Sequence, residues 1–218
     1  MRKKAGTIMM VLGLVLVAIA IFQYVEHQAK LEKALAQAEV LIGAESGDIP
    51  QPEPLKTSDP APDPLMTREQ FNPGENDVVG LLEIPKIEAE LPIIEGTDEE
   101  MLEQGVGHYR ASVFPSDGEQ ILLSGHRDTV FRNFGNLEIG DRFIVKMPYG
   151  TFEYEIASTE IVDKDDTSVI RPMGREVLVV STCYPFRYVG AAPDRYVVYA
   201  YPVSNDGDTK GNKSKSAA

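Results

Sequence analysis

The chain has one cysteine, Cys183, and three histidines in 218 residues. Basic side chains are also scarce, 21 against 34 acidic ones, for a formal net charge of −13. Each shortage excludes something. A single thiol rules out an intramolecular disulfide, so stability must come from apolar burial. One cysteine and three histidines in unrelated contexts do not make a zinc site. The acidic excess argues against nucleic-acid binding; it fits a solvated surface or a cationic, amine-bearing partner. The sequence contains no G-x-x-x-x-G-K-[ST] phosphate loop and no G-x-S-x-G elbow. Ser124, His126 and Asp128 do not read as a serine triad, because positions i, i+2 and i+4 of one strand share a face without converging.

One long apolar run is present. Arg2, Lys3 and Lys4 precede Ala5–Val25, AGTIMMVLGLVLVAIAIFQYV, which carries no charge. As a helix it spans roughly 31 Å, close to a hydrocarbon core. The basic residues keep the N-terminus in the cytoplasm and leave everything after Glu26 outside, as a single-pass membrane protein. A cleaved signal peptide ending near Ala34-Leu35-Ala36 fits less well, because the run is too long and that site lies well beyond it. Setting aside the three basic residues takes the exported part from −13 to −16.

The organisation that follows is a basic tail (1–4), a transmembrane helix (5–25), a helical stalk (26–43), a linker (44–77), a folded domain (78–203) and a polar tail (204–218). The stalk is rich in helix formers and reads as an exposed spacer, with Leu31 and Leu35 as a thin apolar face. The linker carries Pro50, Pro52, Pro54, Pro60, Pro62, Pro64 and Pro73 among acidic residues, so it reads as a semi-stiff tether holding the domain away from the membrane. A ligand for a proline-recognising partner is the alternative. The tail's Lys210, Lys213 and Lys215 read as solvated.

Within the domain, strand-like segments recur at short spacing: VVGLLEIPKI, AELPIIEG, ILLSGH, RFIVKM, TFEYEIASTEIV, EVLVVSTC and RYVVYAYPV. TFEYEI alternates as a half-buried antiparallel strand does, whereas EVLVVS is continuous, as in a strand covered on both faces. Thr97 and Glu100 predict a capping box ahead of one short helix. Many strands with few helices make the domain mainly β, a barrel or a sandwich.

Cys183 ends the strand-like EVLVVSTC and His126 ends ILLSGH. A nucleophilic cysteine needs a proton acceptor, and two strand ends can lie side by side despite their separation in sequence. The other reading is a buried, inert thiol. His27 belongs to the stalk, and His108, in GVGHYR, suits a structural role. Attack on a carbonyl also needs a donor for the oxyanion. Arg195 starts the last strand and is the first candidate, with Arg187 and Arg127 behind it; a salt bridge to Asp194 is its bland reading.

LLSGHRDTVF, VVSTCYPF and APDRYVVYA, in that order after an N-terminal anchor, resemble sortases, and the His-Arg-Asp-Thr and Cys-Tyr-Pro-Phe forms resemble the class D branch. GHYRAS, LEIGDRFIV and RPMGREVLVVSTC extend the likeness over most of 78–203. Val180 stands where the T-L-x-T-C signature usually has leucine. The resemblance implies a closed eight-stranded β-barrel with one or two short helices, and a cysteine transpeptidase outside a Gram-positive cell. It implies cleavage of an LPxTG-like signal of secreted proteins between Thr and Gly, and transfer to a cell-wall or lipid-linked amine. Wall anchoring is favoured over pilus assembly. Carried over by motif, Cys183 is the nucleophile, His126 the general acid/base and Arg195 the oxyanion or substrate stabiliser. Val130, Phe131, Ile170 and Val189 are candidate groove residues. No cofactor is implied; Glu88, Glu90, Asp163, Asp165 and Asp166 are the acidic residues that a Ca²⁺ ion would use, and a solvated loop is the better reading. Two alternatives stand: an L,D-transpeptidase, whose H-G-x…S-x-G-C-x-R neighbourhood is missing, and a tethered β-domain that binds a partner without catalysis.

Overall fold

The computed structural model describes residues 2–43, 66–187 and 190–203. Most of the proline-rich linker, the groove candidate Val189 and the C-terminal tail with its lysines therefore lie outside the described residues. A first helix, α1 (Arg2–Leu41), precedes eight strands: β1 (Val78–Ile84), β2 (Ala89–Glu95), β3 (Val106–His108), β4 (Gln120–Gly125), β5 (Arg142–Met147), β6 (Gly150–Asp163), β7 (Val177–Tyr184) and β8 (Asp194–Pro202). They close into a barrel in the order β1-β2-β3-β4-β7-β8-β6-β5. The pairs β2/β3 and β4/β7 are parallel; the other pairs are antiparallel.

Strand alternation explains both hydrophobic patterns read from the sequence. On β6, Tyr154 and Ile156 are buried while Glu153 and Glu155 are exposed. On β7, Leu178 and Val180 join the barrel interior with Ile121, Leu123, Val198 and Ala200. The alternate residues Val177 and Val179 are equally buried, but in an outer layer with Leu122, Val169, Val197 and Tyr199. A strand covered on both faces has no polar face to show.

The strand missing from the seven segments read from the sequence is β3, only three residues long, preceded by Gly105 and containing Gly107, and too short to give a periodic signal. Its Gly107 lies so close to the turn after β2 that a Cβ there would sit 2.4 Å from the Gly96 carbonyl oxygen. The helix before it, α2 (Glu99–Leu102), differs from the expected capping box. Its N-cap is Asp98, not Thr97, and no side-chain cap hydrogen bond forms. With four residues before the chain returns to β3, the first turn is almost the whole helix.

Two boundaries also differ. The domain's packing begins ahead of Val78: Phe71 is buried in the main core and meets Phe114 edge-on at 5.1 Å, and Met66 packs against the same cluster. The stalk is not an exposed spacer. In α1, Ala34 and Ala38 are fully buried against the barrel, where Ala34 joins Ile94 and Met101. Small side chains four apart put one flat side of the helix against β1 and β2.

Candidate active site

Because side chains alternate, outward positions on adjacent strands line up in rows across β4, β7 and β8. Leu122, Val179 and Tyr199 form one row, and Ser124, Ser181 and Val197 the next. In the third row Cys183 lies directly opposite Arg195. His126 follows Gly125, whose partner is Thr182, so the imidazole joins the strand end beside Cys183. Opposed residues on one face stand with Cβ atoms about 4.5–5.5 Å apart. The three candidates chosen from the sequence thus come together on one outer face at one rim of the barrel. The row starting at Leu122 is covered by Val169 and Met173 from the segment between β6 and β7. The third row is open: the His126 side chain is 30% exposed, and Cys183 and Arg195 are half-buried.

Two local features fix this rim. The buried Thr182 hydroxyl donates to the Gly125 carbonyl at 2.8 Å, tying the residue before His126 to the residue before Cys183. Gly125 itself has no room for a side chain, since a Cβ would lie 2.5 Å from the Phe131 ring. On the far side of His126, Nε2 stands 3.5 Å from Glu99 Oε1 at the start of α2. Arg195 does not make the salt bridge to Asp194 that its sequence neighbourhood suggested; Nη1 donates to the Asp194 backbone carbonyl at 3.3 Å. Its charge therefore stays available at the rim.

Arg127, a sequence candidate for the oxyanion role, is buried and used elsewhere. Nη1 donates to the Pro185 carbonyl at 2.9 Å and Nη2 to the Gly190 carbonyl at 3.1 Å, with Nε on the Asp128 carboxylate at 2.9 Å. It ties down both sides of the connection from β7 to β8, immediately after the cysteine. Beside this connection Tyr184, Phe186 and Tyr196 form an aromatic cluster, with Phe186 and Tyr196 at 5.0 Å and Tyr184 and Phe186 at 5.4 Å. The Tyr184–Pro185 peptide is cis. Arg187 is exposed.

The remaining histidines are apart from the rim row. His108 is buried on β3, with Nδ1 2.7 Å from Glu95 Oε2, Nε2 3.0 Å from the Val113 carbonyl oxygen, and its ring stacked on Phe114. That is the structural role expected of it. His27 lies on α1. Among the groove candidates, Val130 and Phe131 are core residues and Ile170 is 40% exposed. Phe131 points inward because its ring fills the space that Gly125 leaves. Asp163 and Asp166 are occupied in local turns, accepting from the backbone N–H groups of Asp165 and Ser168. Among the described residues no group of three or more His, Cys, Asp or Glu side chains could hold a metal ion.

Sequence reasoning missed Thr182, Glu99 and the loop-bracing role of Arg127. The inward alternation of Leu178 and Val180 points to Thr182 once the strand is drawn. Glu99 carries no such signal, being one of several acidic residues in TDEE, and Arg127 depends on carbonyls some 60 residues away in the chain.

Comparison with known proteins agrees with this architecture. The family model described as Sortase domain matches residues 82–203. The chain is 43% identical to Sortase D of Bacillus subtilis over 205 residues, covering 94% of this chain and all of that protein. Among solved structures, the catalytic domain of Bacillus anthracis SrtD is 38% identical with a TM-score of 0.53, over 62% of this chain and 93% of that one. A Clostridium perfringens Sortase D5 transpeptidase is 27% identical with a TM-score of 0.55, over 60% and 82% respectively.

Proposed function

The chain belongs to the sortase family of cysteine transpeptidases, in its class D branch, and on that premise we propose that Cys183, His126 and Arg195 perform the transfer. The observation that supports this most is the rim row: Cys183 opposite Arg195 in register, with His126 one residue beyond the Gly125–Thr182 pair, all on one open face.

Cys183 attacks, as a thiolate, the Thr carbonyl of an LPxTG-like signal that lies extended along the rim. Negative charge develops on the carbonyl oxygen, and the Arg195 guanidinium stabilises it. As the Thr–Gly bond breaks, His126 gives its proton to the departing glycine amine, leaving a thioester between Cys183 and the Thr acyl group. The neutral imidazole then takes a proton from an incoming amine, which attacks the thioester and releases the thiolate. The product is a new amide, and the enzyme returns to its starting state. Nucleophile, proton and positive charge all come from side chains, so the reaction calls for no cofactor.

α1 is long and apolar enough to cross a membrane. With Arg2, Lys3 and Lys4 inside, the catalytic domain is extracellular, attached to the cytoplasmic membrane, and acts on secreted proteins with a C-terminal sorting signal. The acceptor is a cell-wall or lipid-linked amine. The test uses the full chain in detergent micelles with a set of LPxTG-type peptides and a small amine, followed by peptide mass. Amine-capped product ending at Thr, formed by the native chain and absent with Cys183→Ala, is expected. Equal product from Cys183→Ala would overturn the assignment.

A further inference from the structure

In α1 every residue from Met9 to Glu26 is exposed, and contact with the barrel starts at His27, two residues after the apolar run ends. From there His27, Lys30, Leu31, Ala34, Ala38 and Leu41 mark a continuous buried or half-buried stripe at spacings of three and four. Ala34 is 1% and Ala38 0% exposed, so the close contact is packing, not a touching of surfaces. Lys30 Nζ adds an ion pair to Glu103 Oε2 at 2.7 Å. One helical turn before Glu103 is Glu99, which stands 3.5 Å from His126 Nε2. The helix that leaves the membrane is therefore two contacts away from the candidate general acid/base.

These contacts fix a height. Lys30 lies about 7.5 Å along the helix beyond Val25, at 1.5 Å per residue. The Lys30 side chain, its 2.7 Å link to Glu103, one helical turn back to Glu99 and the 3.5 Å link to His126 add on the order of 25 Å, so His126 lies within on the order of 35 Å of the hydrocarbon boundary whatever the tilt. The headgroup layer alone accounts for roughly 5–8 Å of it. A free tether would behave differently: the 22 residues between Gly43 and Met66 could span on the order of 75 Å.

We propose that the stalk is a rigid post: it seats the barrel on the bilayer and holds the Cys183 rim just above the lipid headgroups. The surface that the barrel meets is thus the outer leaflet. This rests on the membrane-anchored reading given above, and it adds a selection rule. Scissile bonds presented close to the bilayer are within reach, whereas those carried tens of ångströms out into the wall are not.

Cys183 is the chain's own labelling site, since no other thiol is present. The full chain, reconstituted in phosphatidylcholine vesicles and shown to co-float with them, is alkylated at Cys183 with a donor fluorophore. Energy transfer to an acceptor on the lipid headgroups reports the height. High transfer is expected for the native chain. It should fall by at least half in Ala38→Glu, which places a carboxylate in the packed contact, and partly in Lys30→Glu. Lys30→Glu combined with Glu103→Lys should restore it. Low transfer from a labelled, vesicle-bound native chain, or transfer unchanged by Ala38→Glu with the barrel folded by circular dichroism, overturns the post while leaving the transpeptidase assignment intact. A thiol that refuses the label in the folded chain argues instead against the catalytic reading, and the height is then read from a donor on Asp98→Cys.

Discussion

Replacing Arg127 with methionine removes a buried cation but keeps most of its volume, and separates a loop brace from a catalytic charge. Among the described residues the guanidinium donates to two carbonyls of the β7–β8 connection, at 2.9 and 3.1 Å, and to the Asp128 carboxylate. A hydrogen bond to a charged group is worth about 1.5–3 kcal/mol, which puts an upper limit near 6 kcal/mol on the two loop contacts. The net loss is smaller. Pro185 is half-buried and Gly190 exposed, so the freed carbonyls hydrate, and the cost of burying the guanidinium disappears with it. We expect about 1–3 kcal/mol of global destabilisation by urea unfolding, within the 5–15 kcal/mol typical of a domain. The local effect is on geometry. The connection starts two residues after Cys183, and mispositioning that costs 1.4–2.7 kcal/mol in the transition state lowers kcat/KM by about 10- to 100-fold. Arg127→Lys keeps the charge but puts one nitrogen where the guanidinium has three, so it should fall between. The assay pairs urea unfolding with transpeptidation of an LPxTG-type peptide. Native stability and activity in Arg127→Met would refute the brace; native stability with lost activity would mean that Arg127 acts on the reacting groups.

Thr182→Val deletes the hydroxyl bond to the Gly125 carbonyl without changing shape, and should cost about 1 kcal/mol with a several-fold loss of kcat/KM; unchanged kcat/KM would show that this tie does not place His126. Gly125→Ala drives a methyl into the buried Phe131 ring and should destabilise the chain by about 1–3 kcal/mol, read as a lower midpoint in urea. The Lys30 hydrogen bond holds the Glu103 carboxyl below the usual carboxylate range, so its contribution is present above the ordinary glutamate pKa and lost as pH falls through the depressed folded value. Stalk docking, read as transfer from Cys183-bound donor to headgroups, should weaken on acidification in that window and not between pH 6 and 8. Tyr199 donates to Glu160, and burial pushes its phenol up to about 12. Between pH 10 and 12 the unfolded phenol ionises while the folded one does not, so thermal stability should decline there, and less so in Tyr199→Phe.

Where the sequence carried strand periodicity, the fold was legible: TFEYEI and EVLVVS named one half-buried strand and one fully covered strand, and both are present. The rim residues were legible for the same reason, because Cys183 and His126 close, and Arg195 opens, segments whose register follows from alternation. What escaped depends on contacts between distant parts. β3 is too short for periodicity, and its pairing rests on glycines that let backbones approach. The docking of α1 is written in two alanines, residues as common on an exposed helix as on a packed one. Phe71 lies in a polar, proline-flanked stretch and joins the core only because Phe114 and Tyr149 receive it.

The acyl-enzyme on Cys183 is seen most directly in the intact mass of the full chain after brief exposure to an LPxTG-type peptide without added amine. A mass increase equal to the peptide acyl group ending at Thr, located on Cys183 and discharged by a small amine, is expected. An unmodified chain that nonetheless turns over the peptide would contradict this mechanism, because the thioester on Cys183 is the intermediate on which His126 and Arg195 act.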